Sequence, residues 1–316
     1  MHNGFRSRLA RLLGVDDPVG RLSRRLSASD LNSLLLDVFR EKANSSSPAD
    51  LLRRYEANRF VQPAAVDAIR LKQLELDTLT VARGLDYEPV QLSPLAPLGS
   101  CSIVASSDQN KVVSALRGTE VTADATNSLA LHIAGGLQAG TLDNREHFVR
   151  YSTTHRHVRA QRFEQAPGML AHFSLFALVA SGRDRGSYDF ELRSFREHSA
   201  VYAELFKKLW NAEIEIVVSR RGGYPDGDGF MERLMADAKT LPYRVTLSPD
   251  TAKETNAYYK GFQFTVIARI GESTLPIGDG GLVDWTQQLL GSRKERMMIS
   301  AIGLERLAAI EGSEPG

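Results

Sequence analysis

The sequence predicts an α+β fold, in which helices flank an antiparallel β-sheet. Residues 149–161 and 170–181 form two strand-like segments of similar length, joined by a loop with Pro167 and Gly168, which is typical of a β-hairpin with a long tip. Further strand-like segments follow a long amphipathic helix. Antiparallel strands with the helices segregated from them indicate the α+β class.

Composition limits the classes of protein to which this sequence can belong. The chain has 316 residues, of which 42% are hydrophobic and 24% charged, so it can bury a substantial core. Its net charge of +1 excludes a broadly basic nucleic-acid-binding protein and leaves room for a local patch. Cys101 is the only cysteine, which excludes an intrachain disulfide. Because no apolar run suits a membrane span or a secretory signal, we expect a cytoplasmic protein with no membrane association.

Residues 1–64 are predicted to form a helical N-terminal extension. Two helix-start signals support this: "SASD" ahead of Leu31, and "SSSPAD" ahead of Leu51, where Ser47 can cap the helix and Pro48 occupies its first turn. The start of the chain, "MHNGFRSRLARLLGVDDPVGRLSRRLSAS", is rich in arginine. We interpret it as a solvated amphipathic helix, with an arm that contacts RNA or serves in targeting as the alternative.

Residues 65–316 are predicted to form the main domain. A helix ends at Gly84, an extended segment follows, and another helix is expected from Asn127. After the hairpin, residues 182–250 read as helix, strand, helix and strand, which we interpret as a small α/β insertion. The chain then returns to two strands, "AYYKGFQFTVIARIG" and "LPIGDGG", a helix "LVDWTQQLLG", and a last strand that ends at Gly303.

Two stretches of this domain resemble motifs of a known family. "RGLDYEPVQLSP" is a helix end followed by a strand that ends in Pro94, and "HVRAQRFEQAPGMLAHF" is a strand with Arg159, a loop, and a returning strand with Phe173. They resemble motifs 1 and 2 of the class II aminoacyl-tRNA synthetases. The resemblance covers roughly residues 65–310. It is closest to the histidyl branch, which includes the synthetase-like regulatory subunit of ATP phosphoribosyltransferase.

The end of the chain strengthens this resemblance. "YYKGFQFTV", "GDGGLVDW" and "AIGLERL" are similar to the histidyl-type "YYTG…F" and "GGRYD" segments and to motif 3. The implied fold is a class II synthetase-type antiparallel sheet flanked by helices, with the α/β insertion between motifs 2 and 3. Motif 1 implies a homodimer. Gly280 and Gly281 are expected to allow the backbone to approach a ligand.

The resemblance implies a site for ATP and Mg²⁺, without a metal site made of protein side chains alone. Arg159 would bridge the α-phosphate and the carboxylate of an acid substrate, because its planar guanidinium carries paired donors. Phe173 and Arg306 would hold adenine between them. Arg159 and Arg306 are therefore the predicted catalytic residues. The predicted nucleotide-binding residues are Arg159, Gln161, Phe173, Gly303 and Arg306.

The substrate acid is expected beside the nucleotide. "ADATN" resembles the family's "RPE-T" segment, so Asp124 would pair with an α-ammonium group and Thr126 would contact the acid. Tyr259 and Gly261 match the "YYTG" pattern, whose tyrosine lines the substrate pocket. An Asx-type turn at Asp124 and a core aromatic at Tyr259 are the alternatives. The predicted acid-binding residues are Asp124, Thr126, Tyr259, Gly261, Gly280 and Gly281.

Several positions depart from the histidyl pattern, in which they are polar or charged residues of other kinds. They are Gln161, Leu175, Val179, Glu254 and Leu282. Lost hydrogen bonds of this kind weaken both transition-state stabilisation and substrate selectivity. We therefore expect neither histidine as the substrate nor efficient tRNA charging. Since the sequence ends soon after Arg306, anticodon binding is not expected either.

Other chemistries receive less support from the sequence. His155, His157 and His172 lie on the two strands of the hairpin and could ligate Zn²⁺, but no cysteine or "HExxH" spacing accompanies them. The "SCS" stretch around Cys101 lacks a partner base at a recognisable spacing. We interpret these residues as structural.

Three functions remain open from the sequence. The favoured one is an adenylate-forming enzyme that binds ATP, Mg²⁺ and a small amino or carboxylic acid, with a small molecule, a protein or an RNA as acceptor. The second is a catalytically silent regulator of a partner enzyme. The third is an RNA-interaction module that uses the arginine-rich start.

Overall fold

The computed structural model describes residues 2–161, 171–249, 258–271 and 273–309. Its centre is an eight-stranded sheet with the strand order β1-β4-β5-β10-β9-β8-β6-β7. Neighbouring strands are antiparallel except at the two ends, where β1 pairs with β4 and β6 with β7 in parallel. The predicted α+β fold with an antiparallel sheet and flanking helices is therefore confirmed.

The bounds of the elements are as follows. The helices are α1 (His2–Leu13), α2 (Pro18–Arg25), α3 (Ala28–Asn44), α4 (Pro48–Ala57), α5 (Ala68–Arg83), α6 (Ala125–Ala139), α7 (Asp189–Trp210), α8 (Gly227–Ala238), α9 (Trp285–Leu290) and α10 (Leu304–Ala308). The strands are β1 (Glu88–Pro89), β2 (Leu95–Pro97), β3 (Thr119–Val121), β4 (Val149–Val158), β5 (His172–Arg183), β6 (Glu213–Arg220), β7 (Arg244–Leu247), β8 (Lys260–Ile270), β9 (Ser273–Val283) and β10 (Glu295–Gly303).

The N-terminal part of the chain is helical, as the start signals predict. The hydroxyl of Ser47 accepts a hydrogen bond from the Asp50 backbone, and the Asp50 carboxylate accepts one from the Ser47 backbone, both at 3.1 Å. This reciprocal capping box fixes the start of α4. Neither α3 nor α4 buries a residue, so these helices lie at the surface. Their status as a separate extension stays a prediction.

Two hydrophobic clusters lie on opposite faces of the sheet. Side chains of α5 and α7 form one cluster with the sheet, and side chains of α6 form the other. Alternation along β10 divides its residues between them: Met298 and Ile302 belong to the first cluster, and Met297 and Ile299 to the second. The residues that follow Ile299 on the α6 side are small, and the sheet surface opens there.

The segment between the hairpin and β8 extends the main sheet. β6 pairs antiparallel with β8 from Glu213 opposite Arg269 to Arg220 opposite Phe262, and β7 adds the outer edge. The helix that precedes β6, α7, packs against central strands. The helix–strand–helix–strand order is thus as predicted. Its description as an insertion rests on the family resemblance and stays a prediction.

Local boundaries differ from expectation around residues 85–127. The expected extended segment is broken, because Ser100–Val104 forms a helical turn instead of strand. The buried Glu120 carboxylate explains this turn, since it accepts hydrogen bonds from the backbones of Gly99 (2.8 Å) and Cys101 (3.0 Å). Helix α6 begins two residues earlier than expected because Asp124 caps it. Among the described helices, none has the length and apolar character that a membrane span requires.

Candidate functional site

A cavity of about 730 Å³ opens on the sheet face that α6 borders. Its walls come from the end of the β4–β5 hairpin, the start of α6, the β8–β9 pair and the β10–α10 junction. Most of the predicted site residues line it: Asp124, Thr126, Arg159, Gln161, Phe173, Tyr259, Gly303 and Arg306. The fold therefore gathers into one space residues that are far apart in the sequence.

Arg159 and Phe173 form the hairpin wall. The Arg159 backbone donates a hydrogen bond to the Ala171 carbonyl (3.0 Å), which fixes the point at which the side chain projects from the hairpin. Its Nε donates to the Ala123 carbonyl at 3.0 Å. The guanidinium carbon lies 5.1 Å from the centroid of the Phe173 ring, within cation–π range. A guanidinium held in this way is oriented before any ligand arrives.

Arg306 stands on the wall formed by α10. Its Nη1 donates to the Pro276 carbonyl at 3.0 Å, and the residue is exposed. The neighbouring Glu305 is buried and accepts two hydrogen bonds from the Ser174 backbone (2.7 and 2.8 Å) and one from Arg156 Nη1 (3.1 Å). Because Ser174 follows Phe173, the Glu305 carboxylate joins α10 directly to β5 beside Phe173.

Asp124 is both a helix cap and a wall of the cavity. Its Oδ1 accepts hydrogen bonds from the backbone (2.9 Å) and the hydroxyl (2.7 Å) of Thr126. Its Oδ2 accepts one from the Tyr258 hydroxyl at 3.1 Å and lies 3.9 Å from Arg159 Nη2. Both interpretations of Asp124 are therefore compatible with the geometry. Thr126 is only 3% exposed, and its hydroxyl proton is used in the hydrogen bond that orients Asp124.

Asp279 is a cavity residue that the sequence analysis missed. It stands in the centre of β9, where Oδ1 accepts a hydrogen bond from the Tyr259 hydroxyl and Oδ2 accepts one from Gln263 Nε2, each at 2.9 Å. The available signal was an acidic residue between glycines in "GDGG". Lys111 was also missed, and no motif marks it, although it lines the same cavity.

Three of the predicted glycines do not line the cavity. A Cβ on Gly280 would lie 2.4 Å from the Ser300 Cβ, and one on Gly281 would lie 2.6 Å from the Phe262 carbonyl oxygen. These two glycines thus let β9 pack closely against its neighbours. Gly261 has a φ of +72° and packs beside Tyr224. The β9 residues in the cavity wall are Gly278 and Asp279, along with Pro276 and Ile277.

Burial controls the protonation of the ionisable groups around the cavity. It raises the pKa of Asp279, and the nearby Asp124 charge raises it further. Burial also raises the pKa of Tyr258 and Tyr259 well above the usual range, so both hydroxyls remain protonated donors at neutral pH. Burial raises the pKa of Cys101 to about 12, which leaves the thiol protonated and unsuited as a nucleophile.

The histidines of the hairpin lie on both faces of the sheet. Burial lowers the pKa of His157 to about 3, and its neutral Nε2 accepts a hydrogen bond from the Ala125 backbone at 2.8 Å. His172 pairs with Val158, one register position from His157, and therefore lies on the opposite face, where it contacts Arg156. In the described part of the chain, no group of three His, Cys, Asp or Glu residues could hold a metal ion.

Positions that depart from the family pattern occupy different places. Leu175 and Gln161 line the cavity, whereas Val179 is buried beside α6. Leu282 is buried in the cluster on the opposite face of the sheet. Glu254 lies outside the described residues. The cavity wall is thus partly apolar.

Comparisons with known proteins extend this description. No protein-family model matches the sequence, and no match was found among curated proteins. The fold is similar to that of apo histidyl-tRNA synthetase from S. aureus, with a TM-score of 0.59, 12% identity, and coverage of 80% of this chain and 72% of that chain.

Two further solved structures have a similar fold. An ATP phosphoribosyltransferase regulatory subunit/histidyl-tRNA synthetase from Bacillus halodurans has a TM-score of 0.55 at 14% identity, covering 81% of this chain and 84% of that chain. A histidine–tRNA ligase subunit from Alicyclobacillus acidocaldarius has a TM-score of 0.55 at 15% identity, covering 79% and 95%. Identities this low establish the fold alone. The chain has a class II aminoacyl-tRNA synthetase-like core.

Proposed function

We propose that the protein binds ATP with Mg²⁺ and converts a small amino or carboxylic acid into its acyl-adenylate. The observation that carries this proposal is that Arg159, Phe173 and Arg306 line one cavity together with Asp124. Such a reaction needs two cations, an aromatic face and a carboxylate in one place.

The reaction joins two anions, so charge compensation is the main task of the protein. A carboxylate oxygen of the acid attacks the α-phosphorus, the bond to the β,γ-diphosphate breaks, and pyrophosphate leaves with the bonding electron pair. The Arg159 guanidinium would hold the carboxylate and an α-phosphate oxygen side by side. Positioning and electrostatic stabilisation of this kind supply most of the catalysis in phosphoryl chemistry.

The nucleotide would occupy the part of the cavity between the hairpin and α10. Phe173 offers a flat face to adenine, and Arg306 is close enough to the opening to contact the ring or the terminal phosphates. Lys111 adds a further positive charge to the cavity. Mg²⁺, bound chiefly through the phosphates, would neutralise part of their charge. The present contact between Arg159 and the Phe173 ring would give way to adenine.

The acid would lie towards α6. Asp124 keeps one carboxylate oxygen directed at Tyr258 and Arg159, where an α-ammonium group can pair with it. Arg159 then contacts the carboxylate of the same molecule. A homodimer built on the motif 1 region, a cytoplasmic location and an acceptor molecule or protein belong to this proposal as well.

A regulatory role is the second candidate, favoured by two apolar residues where the family pattern has polar ones: Leu175 in the cavity wall and Val179, which is buried beside α6. In this case the cavity would bind a nucleotide or an amino acid, and its occupancy would control a partner enzyme. The similarity to a structure described as an ATP phosphoribosyltransferase regulatory subunit/histidyl-tRNA synthetase is consistent with either role.

ATP–pyrophosphate exchange with the purified protein, Mg²⁺ and pools of amino and carboxylic acids distinguishes the two roles. We expect exchange that depends on one acid and is lost in Arg159→Ala. Arg269→Ala is the matched control, because Arg269 is an exposed arginine on β8 that pairs with Glu215 outside the cavity. ATP binding without exchange for any pool would contradict adenylation and favour the regulator.

A further inference from the structure

We propose that the acid bound in this cavity is an aliphatic diamino acid, whose side-chain ammonium group pairs with Asp279. The inference rests on the proposed function only in that the acid occupies the cavity beside Asp124. It names the chemical class of that acid, which the motif residues leave open.

The Asp279 carboxylate forms no ion pair with a cation in the described part of the chain, and the charge of Arg159 acts on it only from beyond ion-pair distance. Its partners are the neutral hydroxyl of Tyr259 and the neutral amide of Gln263. No described Lys, Arg or His nitrogen lies within ion-pair distance of it, whereas Asp124 has Arg159 at 3.9 Å and Glu305 has Arg156 at 3.1 Å. The side chain is also open to the cavity. A cationic ligand would supply the missing charge.

The hydrogen-bonding capacity of Asp279 is only half used. A carboxylate offers about four acceptor positions, and the two observed hydrogen bonds leave about two. An ammonium group has three donors and no acceptor, so it complements this arrangement, whereas a carboxylate or hydroxyl ligand matches it less well. Tyr259 and Gln263 hold the Asp279 carboxylate in place from both oxygens, which pre-orients it for a ligand.

Asn127 provides an independent observation at the same cavity. The residue is 1% exposed and lines the cavity wall. Its Nδ2 donates to Cys101 Sγ at 3.2 Å, while its Oδ1 accepts no hydrogen bond within the described residues. A buried amide oxygen without a donor is rare in folded proteins. Asp124, Asp279 and Asn127 thus give the acid end of the cavity an excess of acceptors, which a ligand rich in N–H donors satisfies.

The apolar part of the wall indicates the stem of the ligand. Leu175 and Ile299 line the cavity, and Ala301 pairs directly with Asp279 across β9 and β10. A methylene chain between the two amino groups can pack against these side chains, which a short polar stem cannot do. The α-ammonium group then pairs with Asp124 and the terminal ammonium group with Asp279.

The test compares diamino acids with neutral analogues of the same shape. Isothermal titration calorimetry is run with lysine, ornithine and 2,4-diaminobutyrate against norleucine, norvaline and 2-aminobutyrate, each with and without ATP and Mg²⁺. We expect one diamino acid to bind about tenfold or more tightly than its neutral analogue. In Asp279→Asn, which retains size and polarity, this preference should disappear. Asp37→Asn, on the exposed surface of α3, is the control.

The outcomes separate this inference from the proposed function. A diamino acid that binds but supports no pyrophosphate exchange upholds the ligand class and contradicts adenylation. Exchange with a neutral acid, without any preference for diamino acids, overturns the ligand class and upholds adenylation. Titration with MgCl₂ alone tests whether Asp279 binds a metal ion instead of an ammonium group. Mg²⁺ binding that Asp279→Asn abolishes, together with no preference for diamino acids, overturns the inference. The comparison in the wild-type protein keeps the test decisive even if the variant folds poorly.

Discussion

The two ends of the cavity follow the class II pattern to different degrees. At the proposed nucleotide end, Arg159, Phe173, Gly303 and Arg306 resemble the residues of motifs 2 and 3 in sequence, and all four line the cavity. At the acid end, Leu175 is apolar and Asp279 introduces a carboxylate between glycines. Under the proposed function, the nucleotide occupies the first end of the cavity, and the second end selects the acid. Each of the following predictions tests one end against the other.

Glu305→Ala should have the largest effect on folding stability. Its carboxylate joins α10 to β5, and removing it leaves the buried backbone N–H of Ser174 without an acceptor and Arg156 with only His172 and the Ser174 hydroxyl as partners. Breaking a buried, hydrogen-bonded ion pair costs about 3–5 kcal/mol, and we expect a loss in unfolding free energy near the lower end because Arg156 is partly exposed. Urea denaturation followed by circular dichroism measures it. A loss no greater than that of Glu41→Ala, on surface helix α3, would contradict this role.

Arg159→Ala should reduce the exchange rate about 10²–10³-fold, the range observed when one preorganised oxyanion donor is lost. Because Arg159 contacts both ligands in the proposed reaction, the loss should appear in kcat as well as in the affinity for the acid. Steady-state exchange kinetics separate these parameters. Arg159→Lys keeps the charge and loses the planar fork, so we expect it to recover only a small part of the rate. Full recovery in Arg159→Lys would mean that charge alone suffices.

Phe173→Leu should weaken ATP binding and leave the acid end unchanged. Loss of a stacking face costs about 1–3 kcal/mol per base, which corresponds to roughly 5- to 150-fold in affinity. Fluorescent ATP analogues and calorimetry with the acid alone measure the two ends separately. Equal losses for nucleotide and acid would show that the two ends are not independent.

Asp279→Asn should raise stability slightly at neutral pH. The raised pKa of Asp279 means that the folded protein favours its protonated form, so ionisation above that pKa costs stability, and protonation at acidic pH removes the cost. The variant should therefore have a higher Tm than the wild type at pH 7, and the difference should vanish as the pH falls below the usual aspartate range. Thermal unfolding across pH provides the measurement. A lower Tm at pH 7 would show that Tyr259 and Gln263 compensate the charge fully.

The order and kinds of elements could be predicted from the sequence. Periodicity and caps are local properties, so the hairpin, α4 with Ser47 at its cap, and the Gly303–Arg306 junction all lie where the pattern indicated. The start of α6 differs by two residues because the Asp124 side chain accepts a hydrogen bond from the Thr126 backbone. Ser100–Val104 differs in kind, since it forms a helical turn within a segment that was expected to be extended.

The identity of the cavity residues depended on more than the sequence. The "GDGG" stretch gives no indication of which of its residues faces the ligand, because the register of β9 between β8 and β10 decides it. That register directs Asp279 to the cavity and packs Gly280 and Gly281 against neighbouring strands. Local propensity thus determined which elements form and in what order, and it also determined on which elements the motif residues lie. Only the register between β8 and β9 decided that Tyr259, Gln263 and Asp279 meet, since the register sets which side chains lie beside one another.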